Sequence, residues 1–181
     1  QLRNLALAIT AAEELTTLGF SMTAAQIADG ISSTRWPGRF QYVSGEGNRP
    51  EIILDVAHNP AGAWALRGAL SERFRDRPIY LVFGAMRDKA IAEIAGILFP
   101  TAEVVIATHT EHNPRSATTA EIREAASRTG AELVEVPAVK DAIQKAIEVA
   151  SEHNHLGAPL IVVTGSIYIV GEAMESLGIR V

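Results

Sequence analysis

Three short runs, PIYLVFGA (78–85), EVVIAT (103–108) and PLIVVTGS (159–166), are apolar at successive positions and rich in Val and Ile. That pattern most narrows what this chain can become. A strand with no alternation has no face left for water, so helices must cover both sides of its sheet. Segments with helical spacing separate these runs, at residues 59–73, about 89–98, 119–129 and 138–152. Further strands are predicted at 40–43, 51–57 and 132–136. Strand–helix alternation with short links predicts an α/β fold, a mainly parallel sheet with right-handed crossovers.

The first part of the chain has a different rhythm. Leu2, Leu5, Ile9, Ala12, Leu15 and Leu18 recur every three or four positions, predicting a helix that Gly19 ends. A second, shorter helix follows with Ala24, Ile27 and Ile31 on its apolar side, capped by Ser21 or Thr23. Pro37-Gly38 then breaks the pattern. The 181 residues are 48% hydrophobic, enough for one packed core and a small extra element. Opening at Gln1 in a helical pattern, without an initiator Met, predicts a piece of something longer.

Charge and composition remove several classes of function. Sixteen basic and 21 acidic residues give a net charge of −5 with no basic block, which argues against a broad nucleic-acid-binding face. No run approaches the roughly 20 apolar residues of a membrane span, and no signal peptide is visible. The absence of cysteine excludes disulfides and thiolate metal sites and is compatible with a reducing cytoplasm.

In an open α/β sheet, ligands bind beyond the carboxyl ends of the strands. This rule selects Asp55, His58 and Asn59; Gly84, Arg87, Asp88 and Lys89; Thr108, His109 and His112; and Thr164, Gly165 and Ser166. Asp55 suits a ribose hydroxyl or a cation, and equally suits a cap for its turn. His58 suits a phosphate or carboxylate, against an incidental place in a turn. Asn59 is expected to cap a helix starting at Pro60. Lys89 suits an anion, although charge clusters are usually surface features, and Asp88 suits a helix cap. His109, His112 and Asn113, with Glu111, hint at a metal, but a solvated loop is the preferred reading. Gly165 offers close backbone approach or simply a tight turn. Neither a Walker lysine loop nor a G-x-G-x-x-G turn occurs, so nothing in this sequence wraps a triphosphate in backbone amides. Residue chemistry alone thus indicates an α/β ligand-binding domain with an anion-friendly rim, incomplete as a catalyst.

Six stretches stand out in order: Q-x-x-N at Gln1–Asn4, WPGRFQ (36–41), LDVAHNP (54–60), GAMRDK (84–89), NPR (113–115) and VTGSIYIVGE (163–172). Together they resemble the C-terminal part of the folylpolyglutamate synthase/dihydrofolate synthase family of the Mur ligase superfamily. Val56 stands where the family usually has Gly. The resemblance implies a Rossmann-like C-terminal domain at 37–181, preceded by residues 1–36 as the helical end of an ATP-binding domain. That domain's P-loop part would lie upstream and supply most Mg²⁺ ligands; no metal ligand is assigned in this chain. Asn4, Arg39, Asp55 and His58 would contact ATP, with Arg39 on the polyphosphate and Asp55 on the ribose. His58 and Lys89 would serve catalysis, and His58, Lys89 and Ser166 would meet the acidic substrates.

The implied reaction starts with attack of a folate or dihydropteroate carboxylate on the γ-phosphate of ATP. The amine of L-glutamate then attacks the acyl phosphate, and phosphate leaves as the amide forms. The resemblance further implies a cytoplasmic monomer with no nucleic-acid or membrane partner, and predicts that the fragment alone is inactive. Another Mur-type amino-acid ligase and a non-catalytic α/β interaction module are the alternatives.

Overall fold

A computed structural model describes residues 2–47, 49–111, 113–152 and 157–179. The chain divides into two compact units, Gln1–Trp36 and Pro37–Val181. In the first unit, α1 (Leu2–Thr17) and α2 (Ala24–Ser33) form as the 3.6-residue spacing predicts. Thr23, not Ser21, is the cap of α2. Its hydroxyl accepts the Gln26 N–H at 3.2 Å while the Gln26 side chain accepts the Thr23 N–H at 2.8 Å.

The second unit contains β1 (Gln41–Val43), β2 (Glu51–Asp55), α3 (Pro60–Arg73), β3 (Ile79–Phe83), α4 (Ile91–Leu98), β4 (Val104–Ala107), α5 (Thr119–Ala125), β5 (Leu133–Glu135), α6 (Val139–Glu152), β6 (Leu160–Thr164) and α7 (Ile167–Ser176). Its sheet runs β1-β2-β6-β3-β4-β5, with β1 antiparallel to β2 and all other pairs parallel. Ile53, Leu81, Phe83, Val105 and Val162 face a core completed by α3, α4 and α5. Ile52, Leu54, Val82, Ile106, Ile161 and Val163 face the opposite core, completed by α6 and α7. Successive strand residues thus enter opposite layers, which is why the strands lack an apolar–polar alternation. The expected α/β sheet, mostly parallel with helices on both faces, is the observed one.

Two boundaries and one whole element differ notably from the sequence reading. The strand expected over 51–57 stops at Asp55. The Val56 N–H leaves the ladder for the Gly38 carbonyl at 2.8 Å, and the Ala57 N–H turns back to Asp55 Oδ1 at 2.9 Å. The helix expected over 119–129 ends at Ala125 and finishes in tighter turns, Ser127 N–H to Glu124 and Thr129 N–H to Ala126. Helix α7 was not among the expected elements. It buries Ile169, Val170, Ala173 and Met174 on the sheet.

The crossing from β6 to α7 leaves no room at Gly165. Its φ is +105°, and a Cβ built there would lie 2.4 Å from the Gly84 carbonyl oxygen and 2.7 Å from the Phe83 ring. Here close approach, and not only turn freedom, requires glycine.

The loops after β3 and β4 are sewn together. The Arg87 N–H donates to the Arg115 carbonyl at 2.8 Å, Ala117 to Ala85 at 2.9 Å, and Arg87 Nη1 to the Pro114 carbonyl at 2.7 Å. Arg87 Nε also meets Glu121 at 3.0 Å, and the Thr118 N–H donates to the same carboxylate at 2.7 Å as part of the α5 capping box. Two sequence stretches, GAMRDK and NPR, are therefore one structural feature.

Two measurements check this packing. Gly165→Ala is expected to lower unfolding free energy by about 2 kcal/mol or more in chemical denaturation, because the left-handed backbone and the carbonyl clash add; an unchanged midpoint would contradict the close approach. The Thr118 N–H, then Arg87, then the Thr118 hydroxyl pull the Glu121 carboxyl down from the ordinary 4.5 to about 2. A lowered folded value means this contribution is present above the unfolded value and is lost as pH falls through about 2. An NMR titration should place the Glu121 midpoint near 2, and Arg87→Gln should raise it without restoring the ordinary value.

Candidate functional site

Parallel register sets Asp55 beside Thr164 on β6, and Thr164 beside Phe83 on β3. The loops that leave this carboxyl edge carry His58, Lys89 and Ser166. Helices α3 and α7 also start here, so the partial positive charge of both N-termini lies along the same edge.

Asp55 is half-buried, and both of its oxygens are in use. Oδ1 accepts the Ala57 N–H at 2.9 Å and Oδ2 accepts the Phe40 N–H at 2.8 Å. Burial pushes its carboxyl above the ordinary value, against the lowering by those two N–H groups and by the Arg39 charge. The second bond brings Arg39 to Asp55, since Phe40 is its chain neighbour. Arg39 is exposed, while Gly38 beside it is buried at φ +71°.

His58 is half-buried, and its Nδ1–H donates to the Val56 carbonyl at 2.9 Å. A carbonyl only accepts, so Nδ1 carries a proton and Nε2 is the ring atom left for a ligand. Asn59 caps α3 as expected: its Oδ1 accepts the Gly62 N–H at 2.8 Å, and Pro60 takes the first helical position. Val56, the departure from the family pattern, is a buried packing residue. Its Cγ1 lies 2.9 Å from where a Cβ on Gly38 would be, so it closes against the 36–41 motif.

Lys89 Nζ pairs with Asp88 at 2.9 Å, and its side chain is 33% exposed. The expected Asp88 helix cap is corrected: Ala90 is the α4 cap, without a side-chain bond, and the Asp88 carboxylate is spent on Lys89. Ser166 is buried, and its hydroxyl accepts the Tyr168 N–H at 3.2 Å as the cap of α7. Thr164 is fully buried and directs its hydroxyl to the Ala57 carbonyl at 3.5 Å, a long contact across the strand ends. Asn4 lies exposed on α1 in the first unit.

The loop expected to be solvated after β4 is exposed at Glu111, Pro114, Arg115 and Thr118. Thr108, Thr110, Ser116 and Ala117 around it are buried, and His109 Nδ1 is buried with no hydrogen-bond partner among the described residues. His112 lies outside the described residues. Among the described residues, no group of three or more His, Asp or Glu side chains is placed to hold a metal ion. Two supports escaped the sequence reading. Phe40 holds a left-handed backbone at φ +49°, and the Gln41 side chain accepts the Gly38 N–H at 2.9 Å. Both lie within the WPGRFQ stretch that carries the resemblance, but nothing in that stretch announces their part in the turn.

The carboxyl edge therefore carries Asp55, His58 and Arg39 about the end of β2, and the Lys89–Asp88 ion pair and Ser166 on the loops after β3 and β6; its cations suit a polyanion. The sequence is 30% identical over 178 residues to folylpolyglutamate synthase of Lacticaseibacillus casei, covering 98% of this chain and 38% of that one. It is 40% identical over 85 residues to dihydrofolate synthase/folylpolyglutamate synthase of Escherichia coli K12. The structure resembles E. coli FolC in complex with DHPP and ADP, with a TM-score of 0.78 and 29% identity over 94% of this chain and 38% of that one. It also resembles a Mycobacterium tuberculosis folylpolyglutamate synthase complexed with ADP and AMPPCP, with a TM-score of 0.77 and 27% identity over 90% of this chain and 37% of that one. A Yersinia pestis folylpolyglutamate synthase/dihydrofolate synthase complexed with AMPPNP and Mn matches with a TM-score of 0.73 and 26% identity, over 88% of this chain and 35% of that one. The chain spans about two fifths of the length of such relatives. Residues 38–167 match the family described as Mur ligase, glutamate ligase domain, and the chain belongs to that family.

Proposed function

We propose that this chain is the C-terminal part of an ATP-dependent ligase that joins L-glutamate to folate or dihydropteroate through an acyl phosphate. The observation that carries the reading is the likeness to folylpolyglutamate synthases along nearly the whole chain. Residues 1–36 would end a preceding ATP-binding domain whose P-loop part lies upstream, and 37–181 would be the Rossmann-like C-terminal domain. The exposure of Leu7, Leu18 and Phe20 in the first unit suits an element that belongs to a larger core.

In this reading the chain's task is alignment and charge compensation. Asn4 and Asp55 contact the nucleotide, Asp55 through a ribose hydroxyl using lone pairs left by its two backbone bonds. Arg39 meets the polyphosphate, where a planar guanidinium bonds two oxygens at once. His58 lies between phosphates and the incoming glutamate and supplies position and charge rather than a required general base. Lys89 exchanges Asp88 for an anionic oxygen and serves the acidic substrate. Ser166 addresses the glutamate carboxylate, at the positive end of α7.

Attack of the folate carboxylate on the γ-phosphate forms an acyl phosphate and releases ADP. The glutamate amine then adds to the acyl carbon, loses its proton, and the tetrahedral intermediate expels phosphate to leave an amide. Mg²⁺ would lower the repulsion between carboxylate and triphosphate. Its ligands are assigned mainly to the upstream domain, as the family resemblance implies. The parent enzyme is read as a cytoplasmic monomer, and no helix among the described residues is long and apolar enough to cross a membrane.

The test compares the purified 181-residue chain with its full-length parent. Full-length protein is expected to release phosphate from Mg-ATP only when both glutamate and a pteroate or folate acceptor are present. The chain alone is expected to show no turnover and weak Mg-ATP binding by calorimetry. Turnover by the chain alone, or no glutamate dependence in the parent, would refute the reading.

A further inference from the structure

Arg39 projects from a turn whose neighbours on both sides are fixed by residues beyond it. Before it, the Gly38 N–H donates to the Gln41 side chain at 2.9 Å, and the Gly38 carbonyl accepts the Val56 N–H at 2.8 Å. After it, the Phe40 N–H donates to Asp55 Oδ2 at 2.8 Å. Phe40 has φ +49°, a region that L-residues with large side chains seldom enter unless held there. Its ring is held as well, with the Phe74 centroid 6.4 Å away and the Arg73 guanidinium carbon 5.5 Å from its own centroid.

The chemistry of the carboxylate fits this task. Two N–H donors approach two different oxygens, Ala57 on Oδ1 and Phe40 on Oδ2. An amide offers one acceptor oxygen, and its NH₂ would then face a donor. An aspartate therefore ties the Arg39 turn to the end of β2 in a way its closest isostere cannot.

We infer that Asp55 is a positioning residue for Arg39, its carboxylate holding Phe40 in the left-handed conformation that fixes where the guanidinium starts. This assignment rests on the reading above that Arg39 meets the polyphosphate of ATP. Gln41 and Arg73 support the same turn from its other sides. A ribose contact by Asp55 is a separate role, and the two have different signatures.

A double-mutant cycle in the full-length protein separates them. Asp55→Asn is expected to raise the KM for ATP about tenfold, the effect of one lost hydrogen bond to a charged group. In an Arg39→Gln background the same substitution is expected to add clearly less than it does alone, only the share of the ribose contact remaining once the group being positioned is gone. Effects that multiply in full would overturn the inference and leave Asp55 as an independent nucleotide contact.

Amide exchange without nucleotide supplies the second readout. Asp55→Asn should speed exchange at Phe40 while Val162, inside β6, stays protected. Unchanged exchange at Phe40 overturns the inference whatever the kinetics show. An unaltered ATP KM in Arg39→Gln alone instead defeats the polyphosphate reading, and Phe40 exchange then decides the positioning role by itself. If Asp55→Asn does not fold, Phe40→Gly frees the same backbone and should raise the KM only where Arg39 is present.

Discussion

The insertion of β6 between β2 and β3 is the constraint on which the second unit depends. The strand formed last in sequence is hydrogen-bonded on both sides, at Asp55↔Thr164 and Phe83↔Thr164. Neither flanking strand is complete without it. The closure joins β6 to strands that lie 109 positions away at Asp55 and 81 at Phe83, entropically costly contacts that the helices over both faces must offset. Its reward is positional. Three strand ends come abreast, and the loops leaving them carry His58, Lys89 and Ser166 along one edge.

The same insertion explains the glycines at that edge. With Phe83 and Thr164 abreast, the chain leaving β6 must pass over the end of β3. A Cβ on Gly165 would meet the Gly84 carbonyl at 2.4 Å, and one on Gly84 would meet the Thr108 carbonyl at 2.6 Å. Side chains are thus excluded where strand ends crowd, and polar groups are displaced to the next loop positions. That places the anion-friendly residues around the edge, with backbone at its centre.

Local pattern carried much of this into view. Runs such as LIVVT are apolar at every position because each residue enters one of two cores, so a doubly covered sheet was legible before any coordinates. Asn59-Pro60 was legible as a cap because its chemistry is local. Strand order was not, because nothing within LIVVT states which two strands it will join. Asp88 was misread for a related reason: a cap and an ion pair ask for the same carboxylate, and Lys89 next door won it. The packing of His109 depends on Pro137, whose carbonyl accepts both the His109 N–H and the Thr108 hydroxyl. That partner is 28 positions away. The candidate site residues stood out through motif resemblance; Phe40 and Gln41 lie in the same WPGRFQ stretch, but their part in holding the turn depends on Asp55 and Gly38 partners that the motif does not state.

Phe40 is the one non-glycine residue with a positive φ among the described residues, and it is bonded to Asp55. A left-handed non-glycine residue typically costs about 1–2 kcal/mol. Asp55 carries a second cost. Its folded value is raised, mainly by burial, so burial stabilises the protonated form relative to the charged one. The sign follows: that stabilisation is full below the ordinary value of 3.8 and is lost as pH rises through the raised folded value. At neutral pH the ionised carboxylate therefore works against stability even while accepting two N–H bonds. Strain at residue 40 and an unfavourable charge at residue 55 share one hydrogen bond, at the base of Arg39. A glycine at 40 would relieve the strain, but an apolar residue at 55 would leave the Phe40 and Ala57 N–H groups without their acceptor. Strain and buried charge thus meet at the strand-end edge through one carboxylate that the backbone on both sides of it requires.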